Sequence, residues 1–169
     1  MEGVWLSNLW SLDPESKAWT EIEISGMRPP ATSHDAGGDG WTGDGSTLYL
    51  FPVAWSVDDI DQHLWAFYTT TSTWAQLAAG PGARGESCFG ASGGLIYLLG
   101  GWRASDFWSY NPADNVWTER TDSVTVEGSN PLTRLGGALL DVAGELLLVH
   151  GTGSGIASML PRVPCATCD

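Results

Sequence analysis

The sequence predicts an all-β fold assembled from repeated antiparallel units. Three observations support this prediction: apolar runs of strand length, turn-forming residues between them, and tryptophan pairs that recur at a constant spacing. The runs Thr47–Phe51, Leu95–Leu99 and Glu145–Val149 are bounded by glycine or proline, as strands usually are. Helical periodicity is nearly absent, and the intervening stretches are rich in Gly, Pro, Asp, Ser and Thr, which favour turns.

The tryptophan pairs define the first repeated block. Three segments align, and in each the second tryptophan follows the first by nine residues. These segments are NLWSLDPESKAWTEI (8–22, with Trp10 and Trp19), HLWAFYTTTSTWAQL (63–77, with Trp65 and Trp74) and DFWSYNPADNVWTER (106–120, with Trp108 and Trp117). Asp-Pro in the first copy and Asn-Pro in the third predict a turn between two strands.

A second block repeats upstream of the tryptophans. RGESCFGASGGLIYLLGG (84–101) aligns without gaps to RLGGALLDVAGELLLVHG (134–151), and a looser copy, SHDAGGDGWTGDGSTLYLFPV, covers 33–53. One unit is therefore two strands, a glycine pair, a loop and two tryptophan strands. Trp10 and Trp65 are 55 residues apart, and Trp65 and Trp108 are 43 apart. Four strands at this period predict propeller blades rather than solenoid coils.

This pattern resembles the Kelch repeat. The third unit matches best, through the glycine pair Gly100 and Gly101, the strand residue Tyr97, and the tryptophans Trp108 and Trp117. Other units depart from the pattern, since Pro52 and Val53 replace the glycine pair in the second unit and His150 replaces one glycine in the fourth. The resemblance implies a β-propeller that binds a protein partner through the loops after the second strand and before the first strand of each blade.

The repeats divide the chain into an incomplete propeller of two whole blades and two half blades. Residues 1–25 hold the last two strands of a first blade, 26–79 a second blade, 80–123 a third, 124–158 the first two strands of a fourth, and 159–169 a tail. Because propellers usually have at least four blades, this number leaves an apolar edge open. We therefore expect a second copy or a neighbouring chain to cover that edge, or a longer protein to supply further blades.

The repeated aromatic residues are expected to pack between blades rather than to stack on a ligand. Each would bury roughly 150–250 Å². This expectation covers Trp10, Trp19, Trp65, Trp74, Trp108, Trp117, Tyr49 and Tyr97.

Charge and hydropathy exclude several classes of partner. The chain has 20 acidic and 7 basic residues, a net charge of −13, so nucleic acid and anionic membranes should repel it. There is no apolar run of about 18 residues, so no transmembrane helix is expected. The N-terminus lacks the basic and apolar segments of a signal peptide.

The candidate partner-binding residues come from the loops that the Kelch resemblance places on one face. Trp102 and Arg103 are the foremost candidates, because exposed Trp and Arg often anchor interfaces. The others are Asp106, Arg84, Arg28, Arg134, Trp55, Asp58, Asp59 and Asp61. The alternative is that these residues only pack or solvate their loops. Asp58, Asp59 and Asp61 could also collect calcium, but they lack the alternating ligand pattern of a calcium loop, and a solvated acidic loop is the favoured interpretation.

Catalytic and cofactor signals are weak, and no cofactor is predicted. His34, His63 and His150 show no metal-ligand spacing, and Cys165 and Cys168 form half of a zinc motif or a tight disulfide. A reduced pair would indicate the cytoplasm, and an oxidised pair an extracellular or cell-surface protein. Two alternatives to a binding module remain: part of a Kelch-like propeller enzyme of the copper-radical oxidase or lyase type, and a structural subunit of a larger complex.

Overall fold

A computed structural model describes residues 8–29, 40–43, 45–51, 62–82, 84–101, 104–123, 132, 135–149, 151 and 158–159. In these ranges the chain consists of antiparallel strands joined by turns, and the only helical element with more than one residue is a 3₁₀ turn, Thr121–Ser123. The predicted all-β class is confirmed.

The strands form four separate sheets, each built from consecutive segments of chain. The first pairs β1 (Leu9–Leu12) with β2 (Trp19–Ile22). The second contains β3 (Gly40–Gly43), β4 (Thr47–Phe51), β5 (His63–Tyr68) and β6 (Thr73–Ala79) in sequential order. The third contains β7 (Cys88–Ser92), β8 (Leu95–Leu99), β9 (Phe107–Asn111) and β10 (Val116–Glu119). The fourth contains β11 (Ala138–Val142), β12 (Glu145–Val149) and β13 (Ser158–Met159).

This order is that of an incomplete Kelch-type propeller, in which each blade is a four-stranded antiparallel meander. The strand β7 lies between β3 and β11, so the first strands of successive sheets line one side of the molecule. The fourth sheet differs from the expectation of two strands, because β13 pairs with β12 through Leu148–Ser158 and Leu147–Met159. This third strand starts inside the predicted unit and includes Met159, the first residue of the predicted tail.

Backbone geometry repeats along with the sequence. Lys17, Ser72 and Asn115 each stand two residues before the second tryptophan of their segment, and their φ angles are 57°, 52° and 55°. Positive φ is uncommon for residues other than glycine. Three such residues at one repeat position show that the turn between the two tryptophan strands has the same conformation in all three units.

The sheets stack face to face, and we name the two faces of each sheet by their neighbours. The rear face of a sheet is the face directed at the preceding sheet in the chain, and in the first three sheets it carries the tryptophans. The forward face is directed at the following sheet. In the third sheet, for example, Trp108, Tyr110 and Trp117 lie on the rear face, and Tyr97 and Phe107 lie on the forward face.

A hydrophobic cluster occupies each of the three interfaces between sheets. The rear face of the second sheet packs on the first sheet through Trp65, Phe67 and Trp74 against Leu9, Ile22 and Ile24. The rear face of the third sheet packs on the second through Ile96, Leu98 and Tyr110 against Tyr49, Phe51 and Leu64. The rear face of the fourth sheet packs on the third through Leu139, Leu146 and Leu148 against Tyr97, Leu99 and Phe107.

The predicted packing role of the aromatic residues holds for six of the eight. Trp65, Trp74, Tyr49 and Tyr97 are buried, and Trp108 and Trp117 pack partly buried against the second cluster. The prediction is wrong for Trp10 and Trp19, which are 47% and 63% exposed. They lie on the rear face of the first sheet, and no other sheet of the described chain packs on that face.

Candidate partner-binding loops

Three segments of the third unit meet at one end of its sheet. Cys88 pairs with Leu99, so the residues before β7 and those after β8 lie side by side. The backbone N–H of Gly100 donates a hydrogen bond to the carbonyl of Asp106 at 2.9 Å, which closes the base of the loop between β8 and β9. Within this loop the N–H of Ala104 donates to the carbonyl of Gly101 at 3.0 Å. The loops that the Kelch resemblance assigned to one face therefore converge in this unit.

Arg84 and Asp106 form an ion pair at the centre of this end. Both terminal nitrogens of the guanidinium contact the carboxylate: Nη1 donates to Oδ1, and Nη2 donates to Oδ2 at 3.0 Å. The same nitrogens also donate to the carbonyls of Gly100, at 3.3 Å, and Pro81, at 3.1 Å. Arg84 is only 4% exposed, so its charge is satisfied within the protein. The pair joins the segment before β7 to the segment before β9.

Asp106 also anchors the first tryptophan of its segment. The indole Nε1 of Trp108 donates to Oδ2 at 2.7 Å. Burial of the Asp106 carboxyl raises its pKa, but the hydrogen bonds from Arg84 and Trp108 and the charge of Arg84 outweigh burial and hold the pKa below its ordinary value. The ionised carboxylate is thus the form that the folded protein stabilises.

The glycine pair after β8 allows the loop after β8 to lie close to the segment before β7. Gly101 has a φ of 104°, and a Cβ at this position would lie 2.8 Å from the carbonyl oxygen of Gly85 and 3.2 Å from Cβ of Ser87. Any larger residue would push the segment before β7 away from the loop after β8. The second glycine of the pair is therefore required by the contact between the two loops.

The predicted partner-binding residues fall into two groups. Arg28, Arg84 and Asp106 are described by the structure. Arg28 is exposed, and its guanidinium donates to the carbonyl of Ile24 at 3.1 Å. The residues that lie outside the described ranges are Trp102, Arg103, Arg134, Trp55, Asp58, Asp59 and Asp61, and the same holds for Cys165 and Cys168. A direct contact of any of these residues with a partner stays a prediction.

For Arg84 and Asp106 the geometry adds an internal role that the sequence did not suggest. The sequence assigns each of them to a different loop, and they are 22 residues apart in the chain. The register of β7, β8 and β9 brings the two residues together. A local sequence pattern therefore could not reveal their contact. The remaining acceptors of Arg84 are backbone carbonyls, which leave no signal in the sequence.

The described residues contain no group of three or more His, Cys, Asp or Glu that could hold a metal ion. Cys88 is fully buried in the cluster between the third and fourth sheets, and His63 lies in β5. His34 and His150 lie outside the described ranges. In the part of the chain that the structure describes, no helix is long and apolar enough to cross a membrane.

Comparison with known proteins identifies the third unit. Residues 83–122 match the family model of the Kelch motif. This range runs from the residue before Arg84 to the 3₁₀ turn, and it includes the glycine pair, both tryptophans and the ion pair. No curated protein is similar enough to the chain to count as a match. The third sheet, with the Arg84–Asp106 pair at its end, therefore matches the Kelch motif, and the order of the four described sheets is consistent with an incomplete Kelch-type propeller.

Proposed function

We propose that this chain is a non-catalytic interaction module that binds a protein partner through the loops after the second strand and before the first strand of its blades. The Kelch motif supports the general part of this proposal, since Kelch repeats generally serve protein interaction. The loop between β8 and β9, with Trp102 and Arg103, would provide the principal contact.

The observation that carries the proposal is the rigid base of this loop. Gly100 and Asp106 close it by a backbone hydrogen bond, and the Arg84–Asp106 pair fixes it to the segment before β7. Residues presented from such a base lose little conformational freedom on binding, which favours affinity. Arg84 and Asp106 would then act as positioning residues, while Trp102 and Arg103 would contact the partner.

Affinity purification with quantitative mass spectrometry tests this assignment. The full chain is compared with a Trp102→Ala/Arg103→Ala double variant and with Asp114→Ala. Asp114 lies in the turn between β9 and β10, at the opposite end of the third sheet, and is exposed. The double variant should lose specific partners that the wild type and Asp114→Ala retain, while its melting temperature stays unchanged. Equal recovery of the same proteins on all three would refute the assignment.

A further inference from the structure

In the described part of the chain, two apolar sheet faces lie open at opposite ends of the stack of four sheets. The rear face of the first sheet carries Trp10, Leu12 and Trp19, which are 47%, 47% and 63% exposed. The forward face of the fourth sheet carries Leu140, Val142 and Val149, which are 48%, 51% and 39% exposed. These six account for most of the nine large apolar side chains that are exposed in the described part of the chain. Exposed apolar surface concentrated in this way marks interaction sites.

The three interfaces between sheets inside the molecule show which kind of surface would pack on each open face. In the first two of them, a rear face that carries two tryptophans packs on a forward face that carries none. Trp10 and Trp19 occupy the repeat positions of Trp65 and Trp74, which the first interface buries. Val149 occupies the position of Leu99, which is buried in the third interface, and Leu140 and Val142 lie on the same face as Val149. The two open faces are therefore the two unmatched halves of one repeated interface.

The two faces complement each other, but they do not meet within the ranges that the structure describes. Trp10 and Trp19 stay exposed on one end, and the edge of β12 is already paired with β13. A second copy of the chain supplies the missing half at either end. We propose that the protein self-associates head to tail, with Trp10, Leu12 and Trp19 of one copy packed on Leu140, Val142 and Val149 of the next.

The charges on the two open faces predict how the association depends on salt. Glu21 lies directly opposite Trp10 on the rear face, and Glu145 lies opposite Val142 on the forward face. The chain as a whole carries −13. Salt screens the repulsion between exposed like charges, whereas burial of apolar surface does not weaken with salt at moderate concentrations. Association driven by these faces should therefore strengthen as ionic strength rises, opposite to a contact built on ion pairs.

Sedimentation velocity on the full chain, over a series of concentrations and salt levels, measures the association. Trp10→Lys disables the rear face and Leu140→Lys the forward face. Each should weaken association at least about tenfold, the usual effect of losing a residue central to an interface. Val116→Lys is the matched control, because Val116 is also a strand residue, 51% exposed, and lies on neither open face. It should associate like the wild type.

A mixture of the two variants distinguishes head-to-tail contact from other arrangements. Each variant keeps one intact face, so an equimolar mixture should form a one-to-one dimer, although each variant alone stays monomeric. Trp19→Lys with Val142→Lys provides a second pair should a first variant fail to fold. A wild type that remains monomeric at hundreds of micromolar overturns the proposal. Association that survives Leu140→Lys overturns it as well, since the tryptophan faces would then be pairing with each other.

Discussion

Asn115 accepts a hydrogen bond from the backbone N–H of Ala78 at 2.8 Å, and this bond joins the third sheet to the second. The same oxygen accepts a hydrogen bond from the hydroxyl of Tyr110 at 2.7 Å. The indole nitrogen of Trp117 donates to the carbonyl of Ala78 at 3.4 Å, so both backbone groups of Ala78 bond to the third sheet. Asn115, which adopts a positive φ in the turn between β9 and β10, thus also holds two sheets together.

Replacing Asn115 with glycine should destabilise the protein by about 1–3 kcal/mol, because the backbone N–H of Ala78 and the Tyr110 hydroxyl both lose their acceptor. Glycine accommodates a φ of 55°, so backbone strain does not contribute. Lys17→Gly is the control, since Lys17 has a φ of 57° at the same repeat position on the exposed first sheet. Urea denaturation should show a change of less than about 0.5 kcal/mol for the control. Equal losses in both variants would contradict the role of the Asn115 side chain.

Trp117→Ala should cost about 3–5 kcal/mol, the usual loss when a large aromatic side chain is removed from a packed site. Its ring centroid lies 5.9 Å from that of Phe51 in the second sheet and 5.1 Å from that of Tyr110. Trp19→Ala removes the equivalent residue of the first unit, which is 63% exposed. That loss should stay below about 1 kcal/mol in thermal unfolding of dilute protein. Similar losses for the two variants would show that Trp19 is also packed.

The contrast between Trp117 and Trp19 shows which features a sequence can predict. Strands, turns and the repeat follow from local patterns, because the tryptophan spacing and the glycine pair are both contained in one unit. Burial of a given tryptophan is different, since it depends on whether another sheet packs on its face. Two residues at the same repeat position therefore have opposite environments, and their local sequence does not reveal this.

The candidate loops show the same difference between features that the local sequence predicts and features that depend on packing. The sequence placed Arg84 and Asp106 on loops at one face, and in the structure both lie at one end of the third sheet. Their pairing could not be predicted, because it depends on the register of three strands and on carbonyl groups that every residue possesses. The burial of Arg84 could not be predicted from the sequence either, since arginine is usually exposed.

Acid should weaken the fold through Asp106. Its pKa in the folded protein lies below the ordinary value, so its contribution to stability is complete above the unfolded pKa of about 3.9 and is lost as pH falls through the folded pKa. Asp106→Asn removes this contribution and leaves Arg84 buried without its carboxylate, at a cost of about 3 kcal/mol near neutral pH. Urea denaturation from about pH 7 down to about pH 3 should show a gap between wild type and variant that narrows toward acid. A gap that stays constant would contradict the lowered pKa, because the loss in the variant would then not depend on ionisation of Asp106.

Gly101→Ala tests the contact that holds the two loops of the Kelch motif together. A Cβ at this position would lie 2.8 Å from the carbonyl oxygen of Gly85, and the φ of 104° is unfavourable for alanine. We expect a loss of about 2–4 kcal/mol from overpacking and strain combined. Gly94→Ala is the matched control, because Gly94 has a φ of 77° but no atom within 4 Å of the added Cβ. Thermal unfolding should show that Gly94→Ala loses only about 1–2 kcal/mol of stability, from backbone strain alone. If the two variants lose the same amount, the approach of Gly101 to Gly85 does not constrain the loop, and the base proposed for Trp102 and Arg103 would depend on the Gly100–Asp106 hydrogen bond and the Arg84–Asp106 pair alone.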